Sequence, residues 1–407
     1  MKKPEPSLEL TQSGMLRQLM DHISDNIYFM DRDGRITLIS QWGAKWLGFD
    51  SPEEVIGKTD FDLFSEEHAL AASADEQRII RTGAPVIGIE EKETWPDGRV
   101  TWVSTTKMPL RDDDGEIIGI FGISRDITAH KESELLISRM KEQMESELSR
   151  ANKVQHSFLP AKQLNFPKMA SERSGSIEVV HDYRPSGPVG GDFFCLLPFS
   201  DSKIGIFIAD VMGHGVGAAL TMSALNAMAQ SKAARLSKPE EFLERLNRRL
   251  CEVISRDDDS EFITAFYLVI DTSDGSVTFA TAGHHSPLIR EPATGAVREL
   301  YERGEVRGPA LMLVPNPAFV TGEARLTNGE RILLYTDGLT EMPPEPGSGE
   351  ELGSGGLRRI IEGLDQIELS TFVENITARV LYQSGAQRFE DDVCLIGIEY
   401  RGTEENI

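Results

Sequence analysis

Four aspartates in this 407-residue chain occupy positions from which carboxylates could hold a divalent cation. Asp192 opens an apolar run after the glycines of "GPVGGDFF", and Asp210 closes the strand-like run "KIGIFIAD". Asp337 ends "RILLYTDG", and Asp391 opens "DDVCLIGIEY". Carboxylates that converge at one sheet edge repel each other and raise each other's pKa unless cations compensate their charge. Oxygen donors without a cluster of His or Cys favour Mg²⁺ or Mn²⁺ over zinc.

Each of these motifs also has an explanation that needs no metal. Asp337-Gly338 fits a type I turn, and Asp391-Asp392 fits a solvated strand start. The stretch "GGDFF" is similar to the active-site turn of GGDEF-type nucleotide cyclases, but the similarity ends at Phe193, where an acidic residue is expected. Recurrence of the same arrangement at four strand ends favours a shared metal site, and a cyclase is the remote alternative.

The composition excludes several classes of partner. The chain has 42 Lys and Arg against 66 Asp and Glu, a net charge of -24, which repels nucleic acid and anionic membranes. Its three scattered cysteines predict buried thiols in a reducing cytosol rather than a disulfide framework. No signal peptide and no apolar stretch of about 20 residues is evident, so we expect a cytoplasmic protein.

The section that we assign to residues 14–128 has the order two strands, short helices, three strands. Turns at Asp33-Gly34, Pro96-Asp97-Gly98 and Asp113-Asp114-Gly115 separate the strand-like runs. This section resembles a PAS sensor domain in "DRDGRITLIS", "WPDGRVTWVSTTKMPLRDDDGEIIGIFGISRDIT" and the terminal Asp126-Ile127-Thr128. It contains no cysteine, which excludes a light-driven flavin–cysteine adduct. The PAS ligand is unknown at this stage.

We predict that residues 129–159 form a helical linker, because this segment contains no Gly or Pro. Its apolar residues follow steps of three and four, interrupted at Glu147: Ile137, Met140, Met144, Ala151, Val154 and Phe158. One amphipathic helix packed on its own domain would give the same pattern. We favour a coiled coil that forms a homodimer, because the helix joins a sensor directly to the section that follows.

The third section, assigned to residues 160–402, mixes short strands with helices expected from about 217 to 234 and from 239 to about 254. Seven strand-like runs are evident: "SIEVVHDYRPS", "DFFCLLPF", "KIGIFIAD", "EFITAFYLVIDT", "SVTFATAG", "RILLYTDG" and "DVCLIGIEY". "PPEPGSGEELGSGG", residues 343–356, predicts a flexible loop. The whole chain is therefore expected to be of the α/β (α+β) class.

Five ordered motifs give the third section a resemblance to PPM-type (PP2C-like) protein phosphatases, and especially to their bacterial SpoIIE/RsbU branch. They are "GPVGGDFF", "IADVMGHGVGAAL", "TAGHHSPLI", "LLYTDGLTE" and "FEDDVCLIGI". The resemblance implies an α-β-β-α sandwich of two antiparallel sheets with a centre for two Mn²⁺ or Mg²⁺ ions. By motif, the implied catalytic metal ligands are the side chains of Asp192, Asp210, Asp337 and Asp391 and the carbonyl of Val211. The sequence leaves open whether Asp391 or Asp392 is the ligand.

Four further residues are candidates for touching substrate or for shaping turns. His214 in "GHG", preceded by Gly213, is available as a general acid but is equally suited to a loop. His284 and His285 in "AGHHSP" are expected to shape a turn by hydrogen bonding more than to touch substrate.

The resemblance implies a protein serine/threonine phosphatase. In such an enzyme, two metal ions activate a water molecule for attack on phosphorus. The resemblance also implies a phosphorylated STAS-domain anti-anti-sigma factor of a partner-switching pathway as substrate. The alternative from another class is a catalytically silent PPM-fold binding module under PAS control. We further hypothesise that the PAS domain acts through the linker, with "VQHSFLP" (154–160) as the joint to the phosphatase section.

Overall fold

The computed structural model describes residues 11–95, 97–167, 175–213, 215–231, 236–254, 262–302, 304 and 306–402. The chain divides into two compact units, Met1–Gln143 and Met144–Ile407.

A five-stranded antiparallel sheet of order β2-β1-β5-β4-β3 forms the first unit. Its strands are β1 (Asn26–Asp31), β2 (Ile36–Ile39), β3 (Val86–Thr94), β4 (Val100–Arg111) and β5 (Ile117–Asp126). Helices α1 (Gln12–His22), α2 (Gln41–Trp46), α3 (Asp60–Leu63) and α4 (Glu66–Thr82) and a 3₁₀ turn at Pro52–Glu54 complete it. This order of two strands, helices and three strands confirms the sequence prediction.

Local sequence explains where these elements begin and end. Gly34 has φ 77° in the β1–β2 hairpin, a conformation that favours glycine, and Asp31 Oδ1 accepts hydrogen bonds from the Asp33 and Arg35 amides. Helix α4 begins after Ser65, whose hydroxyl accepts from the His68 amide, and ends at Gly83 with φ 70°. The turn residues seen in the sequence therefore fix this hairpin and this helix end.

One long helix, α5 (Thr128–Phe158), follows the first sheet without a break, as its lack of Gly and Pro predicts. Most of its side chains are exposed. Ile137, Met140 and Met144 have relative accessibilities of 66%, 63% and 61%. The helix therefore presents an apolar stripe to solvent.

Two antiparallel sheets form the second unit, with orders β14-β11-β10-β9-β8 and β13-β12-β15-β16-β7-β6. The first contains β8 (Phe193–Pro198), β9 (Lys203–Val211), β10 (Ile263–Asp271), β11 (Ser276–Ala282) and β14 (Gly322–Arg325). The second contains β6 (Gln163–Phe166), β7 (Ser176–Arg184), β12 (Leu288–Arg290), β13 (Val297–Glu299), β15 (Arg331–Tyr335) and β16 (Val393–Arg401). Below, we call them the β9 sheet and the β16 sheet.

Alternation along the strands builds the layers of this unit. On β9, Phe207 packs with Phe242 under the helices α6 (Val216–Gln230) and α7 (Pro239–Val253), whereas its neighbours Ile206 and Ile208 face the β16 sheet. Helices α8 (Gly353–Glu362) and α9 (Leu369–Ser384) cover the other face of the β16 sheet. Each fully buried aromatic or aliphatic side chain contributes roughly 1.5–3 kcal/mol to this α-β-β-α sandwich.

The prediction of a flexible loop over residues 343–356 is wrong at its C-terminal end, because α8 begins at Gly353. Glycine and serine hid this start, but Leu357, Ile360 and Ile361 follow at helical spacing and are buried against the β16 sheet. The sequence prediction also omitted α8, α9 and the short strands β6, β12, β13 and β14. It placed α7 correctly and the start of α6, but α6 ends at Gln230 before the predicted end at about 234; residues 232–234 of that prediction lie outside the described residues.

Candidate metal centre

The four aspartates lie at one end of the two sheets of the second unit. In the β9 sheet, Phe193 pairs with Ala209, so continuing this register by one residue places Asp192 opposite Asp210. In the β16 sheet, Tyr335 pairs with Leu395, so Asp337 and Asp391 extend beyond the same end of β15 and β16. Each sheet therefore supplies two of the four carboxylates.

Thr336 joins the two sheets at this end. Its hydroxyl donates to Asp192 Oδ2 over 2.6 Å and accepts from the Cys394 amide over 2.8 Å. Thr336 is fully buried, and Asp192 is 1% exposed. One side chain thus links the aspartate before β8 to strand β16. The sequence analysis missed this residue, although its place directly before Asp337 at a strand end could have indicated it.

The charges of the aspartates act on one another. Burial and then repulsion from Asp210 raise the pKa of Asp192 well above its usual value, and the Thr336 hydrogen bond opposes this. Burial raises the pKa of Asp210 to about 7, with further contributions from Asp337 and Asp391. Burial also raises the pKa of Asp337, while His285 opposes that increase and Asp391 adds to it. Without a counter-charge, this cluster resists full ionisation at neutral pH.

Asp391 and Asp392 differ in what their carboxylates already bind. Asp392 is buried and accepts from the Ser186 amide and hydroxyl at Oδ1 and from the Gly191 amide at Oδ2, over 2.6–3.0 Å. Asp391 is exposed, and its Oδ1 accepts from the Asp392 amide. The Asp392 carboxylate therefore holds the Gly190-Gly191 turn, and Asp391 stays our candidate for the metal ligand.

The carbonyl of Val211 lies against this turn. A Cβ placed on Gly191 would stand 2.9 Å from the Val211 oxygen and 3.3 Å from the Gly213 oxygen, so only glycine permits the approach. Gly213 itself has φ 89°. His214, the candidate general acid, lies outside the described residues.

His284 is buried and holds several elements together. Its Nε2 is 3.0 Å from the Tyr335 carbonyl, which can only accept, so Nε2 carries the proton and Nδ1 accepts from the Thr264 hydroxyl over 2.9 Å. Burial lowers the pKa of His284 to about 3, so the ring is neutral. Thr264 pairs with Asp210 across β9 and β10. This geometry supports the turn-shaping role of His284 rather than substrate contact.

Gln155 of α5 lies within the segment 154–160 hypothesised as the joint and holds the turn that carries Asp192, although the sequence analysis gave this residue no individual role. Its Nε2 donates to the Gly190 carbonyl over 2.9 Å, and its Oε1 accepts from the Gly190 amide over 3.2 Å. Asn152, one turn earlier, donates to the Pro188 carbonyl. Gln155 is 5% exposed, although the helical apolar pattern gave it no role. The linker therefore contacts the backbone two residues from Asp192.

The donor set fits hard divalent cations. Among the described residues, no group of three or more His, Cys, Asp or Glu side chains could hold a metal ion as the side chains stand. Mg²⁺, however, usually keeps several waters and takes one or two carboxylates, so four aspartates suffice for two ions. Buried carboxylates whose pKa values are raised by mutual repulsion are the groups that such ions would stabilise.

Two helix-covered antiparallel sheets with aspartates gathered at one end define the PP2C-like class of phosphatase fold. Residues 200–401 match the family of stage II sporulation protein E (SpoIIE), and residues 20–132 match the PAS fold. The chain thus joins a PAS domain to a PP2C-like domain of the SpoIIE/RsbU family. Both resemblances stated from the sequence, and the fold that they imply, are confirmed.

Curated relatives and a solved structure agree with this assignment. The chain is 25% identical to phosphoserine phosphatase RsbP of Bacillus subtilis over 226 residues, 55% of this chain and 53% of RsbP. It is 28% identical to RsbU of the same organism over 257 residues, 63% of this chain and 71% of RsbU. The SiaA-PP2C domain of Pseudomonas aeruginosa shares the fold, with 20% identity, a TM-score of 0.54 and coverage of 64% of this chain and 98% of that domain.

The helices in the described ranges lack the length and apolar character that crossing a bilayer requires.

Proposed function

We propose that the chain is a PAS-regulated, metal-dependent protein serine/threonine phosphatase. The observation that carries this proposal is the convergence of Asp192 and Asp210 from one sheet with Asp337 and Asp391 from the other. Burial and mutual repulsion raise the pKa values of Asp192, Asp210 and Asp337, which supports cations as the compensating charge. The two relatives are named phosphoserine phosphatases, which supports the reaction class.

In this proposal the four aspartates and the Val211 carbonyl hold two Mn²⁺ or Mg²⁺ ions. When bound, the ions supply an activated water and neutralise charge on the phosphoryl oxygens. Thr336 orients Asp192 through its hydroxyl, and Asp392 fixes the glycine turn before Asp192. Gly191 lets the Val211 carbonyl approach this turn. No side chain of the chain has to act as a covalent nucleophile.

The proposed substrate is phosphoserine or phosphothreonine on a cytoplasmic protein, specifically a STAS-domain anti-anti-sigma factor. The acidic composition supports a protein partner over nucleic acid or a membrane. The domain limits 14–128, 129–159 and 160–402 remain our assignment for this function.

Hydrolysis of p-nitrophenyl phosphate and of a phosphoserine peptide by the full chain tests the reaction. We expect phosphate release in Mn²⁺ or Mg²⁺, loss of release after treatment with a chelator, and recovery when the metal is restored. The physical reason is that the aspartates alone repel a phosphoryl group, whereas bound cations attract it.

Two outcomes would contradict the proposal in different ways. Unchanged hydrolysis after chelation would remove the metal centre from the mechanism. No hydrolysis in any metal, for a protein that still binds the phosphopeptide, would favour the catalytically silent binding module.

We also propose that α5 forms a homodimer and carries the PAS signal. The stripe of Ile137, Met140 and Met144 exposes apolar surface to water. A second copy of the helix would bury this surface in a coiled-coil seam, because the apolar residues are spaced alternately by three and four positions. Gln155 supports the regulatory part, because a movement of the helix would act directly on the Gly190 backbone.

The double variant Met140→Glu/Met144→Glu is expected to convert a dimer into a monomer at micromolar concentration, because opposed carboxylates cannot be buried at the seam. Light scattering coupled to size-exclusion chromatography measures the mass. The phosphatase rate of the same sample is expected to change, because the signal runs through the paired helix.

The matched control is Ser138→Glu/Ser149→Glu, which adds the same charge on the same helix outside the stripe. A dimer that survives in the Met140→Glu/Met144→Glu variant would refute the seam. A monomer with wild-type phosphatase rate and metal requirement would refute regulation through helix pairing.

A further inference from the structure

A groove of about 760 Å³ lies in the second unit beside the Asp337 end of the sheets. One wall is the turn 281–286, and the other is the segment from Val306 to Gly308. Tyr301 and Tyr335 also line the groove. Its volume falls in the range of about 300–1,000 Å³ that ligand sites in proteins occupy.

Packing holds both walls in place. The Thr281 hydroxyl bonds to the His284 backbone at both its amide and its carbonyl, over 3.1 Å each. Gly308 lies so close to the Thr281 carbonyl that a Cβ on it would stand 2.4 Å away. The groove is therefore a preformed feature of the fold, which reduces the ordering cost of binding.

His285 connects the groove with the aspartate cluster. Its exposed ring stacks on Tyr335 with centroids 5.8 Å apart and planes 10° from parallel. Tyr335 precedes Asp337 by two residues, and its carbonyl accepts from Nε2 of His284, the residue next to His285, over 3.0 Å. A chain segment in this groove would therefore reach the metal centre.

Arg307 provides fixed positive charge in the groove. Its side chain is exposed, and its Nε donates to the Gly304 carbonyl over 2.9 Å. In the described ranges no carboxylate forms an ion pair with its guanidinium. Glu299 lines the groove as well, so an incoming anion is attracted at Arg307 and repelled near Glu299. Because the chain has a net charge of -24, Arg307 marks the part of the groove where an acidic group is bound most favourably.

We infer that this groove binds the segment of the phosphoprotein substrate next to the phosphorylated residue, with Arg307 pairing to an acidic side chain of that segment. The inference rests on the proposed phosphatase function and names a specificity residue for it. A guanidinium suits this role because it offers several donors in one plane to a carboxylate.

Two phosphoserine peptides of equal length test the pairing, one with glutamates on both sides of the phosphoserine and one with glutamines there. We expect wild type to prefer the acidic peptide about fivefold in kcat/KM, the size of a good exposed ion pair. Arg307→Gln should lose this preference, and Arg307→Glu should reverse it. Hydrolysis of p-nitrophenyl phosphate, which is too small to fill the groove, should stay unchanged in both variants.

Arg325→Gln is the matched control. Arg325 is also exposed and also donates its Nε to a loop carbonyl, that of Asp274, but its pairing with Ser276 places it at the opposite end of the β9 sheet. It should keep the wild-type preference.

An unchanged peptide preference in Arg307→Gln would overturn the inference while leaving the phosphatase function intact. A preference lost equally in Arg325→Gln would overturn it too, because the effect would then be one of net charge. Failure of wild type to hydrolyse any of the three substrates would refute the proposed function and this inference together.

Discussion

Asp210→Asn is expected to lower kcat/KM for p-nitrophenyl phosphate in Mn²⁺ by about 10²–10³-fold, the effect of removing one strong electrostatic contact to the reacting group. Burial raises the pKa of Asp210 most, and repulsion from Asp337 and Asp391 raises it further. Asparagine keeps the shape but removes the charge that a cation requires. Steady-state kinetics over a range of Mn²⁺ concentrations measures the loss.

The same variant should also differ from wild type in how Mn²⁺ changes Tm with pH. Wild-type Asp210 has a folded pKa of about 7 against 3.8 for an ordinary aspartate, so the metal-free folded state holds a proton that the unfolded state releases. Its contribution to stability therefore falls as pH rises from about 4 to about 7. Added Mn²⁺ should raise Tm more at pH 8 than at pH 5.5, because protons compete with the ion at the lower pH. Asp210→Asn should lose most of this pH-dependent increase.

Asp201→Asn, on the exposed loop between β8 and β9, is the control for Asp210 and should behave as wild type. Equal kinetics for Asp210→Asn and Asp201→Asn would show that the aspartate cluster is not the active site.

Thr336→Val should lower the affinity for Mn²⁺ about 10–100-fold, as loss of an outer hydrogen bond to a metal ligand commonly does. Valine has the shape of threonine but cannot donate to Asp192 or accept from the Cys394 amide. The buried groups left unpaired should also lower the free energy of unfolding by about 1–3 kcal/mol. Isothermal titration with Mn²⁺ and denaturant unfolding measure the two effects.

Thr272→Val separates these effects. Thr272 is fully buried and donates its hydroxyl to the Ser202 carbonyl, next to the Asp271–Ser276 pair at the opposite end of the β9 sheet. Its replacement should cost similar stability and leave Mn²⁺ affinity unchanged. If both valine variants lose metal affinity equally, Thr336 has no special link to the centre.

The strand ends that carry the aspartates could be predicted from sequence because their signals are local. An apolar run with a period of two, closed by Asp and Gly, indicates both the strand and its boundary for Asp210 and for Asp337. The fold class followed from the order of such runs together with the family resemblance. Helix α8 escaped detection because the glycines at its start obscure the helical spacing of Leu357 and Ile360.

The contacts that support the centre could not be predicted, because they join residues far apart in the chain. Thr336 meets Asp192 only after the two sheets have packed face to face, and a buried hydroxyl leaves no periodic trace in the sequence. Gln155 lies among ordinary polar residues of a helix, and its partner is a backbone group. The environments of Asp391 and Asp392 differ because Asp392 accepts from Ser186 and Gly191, which lie 206 and 201 residues earlier in the chain.

The bond from the Gly191 amide to Asp392 spans 201 residues of chain. Contacts of such large separation form late, because much loop entropy must be lost first. A nascent chain on the ribosome therefore displays the glycine turn long before the residue that fixes it exists. If the proposed centre binds cations, capture would have to await strand β16, so incomplete chains would lack a competent site during synthesis.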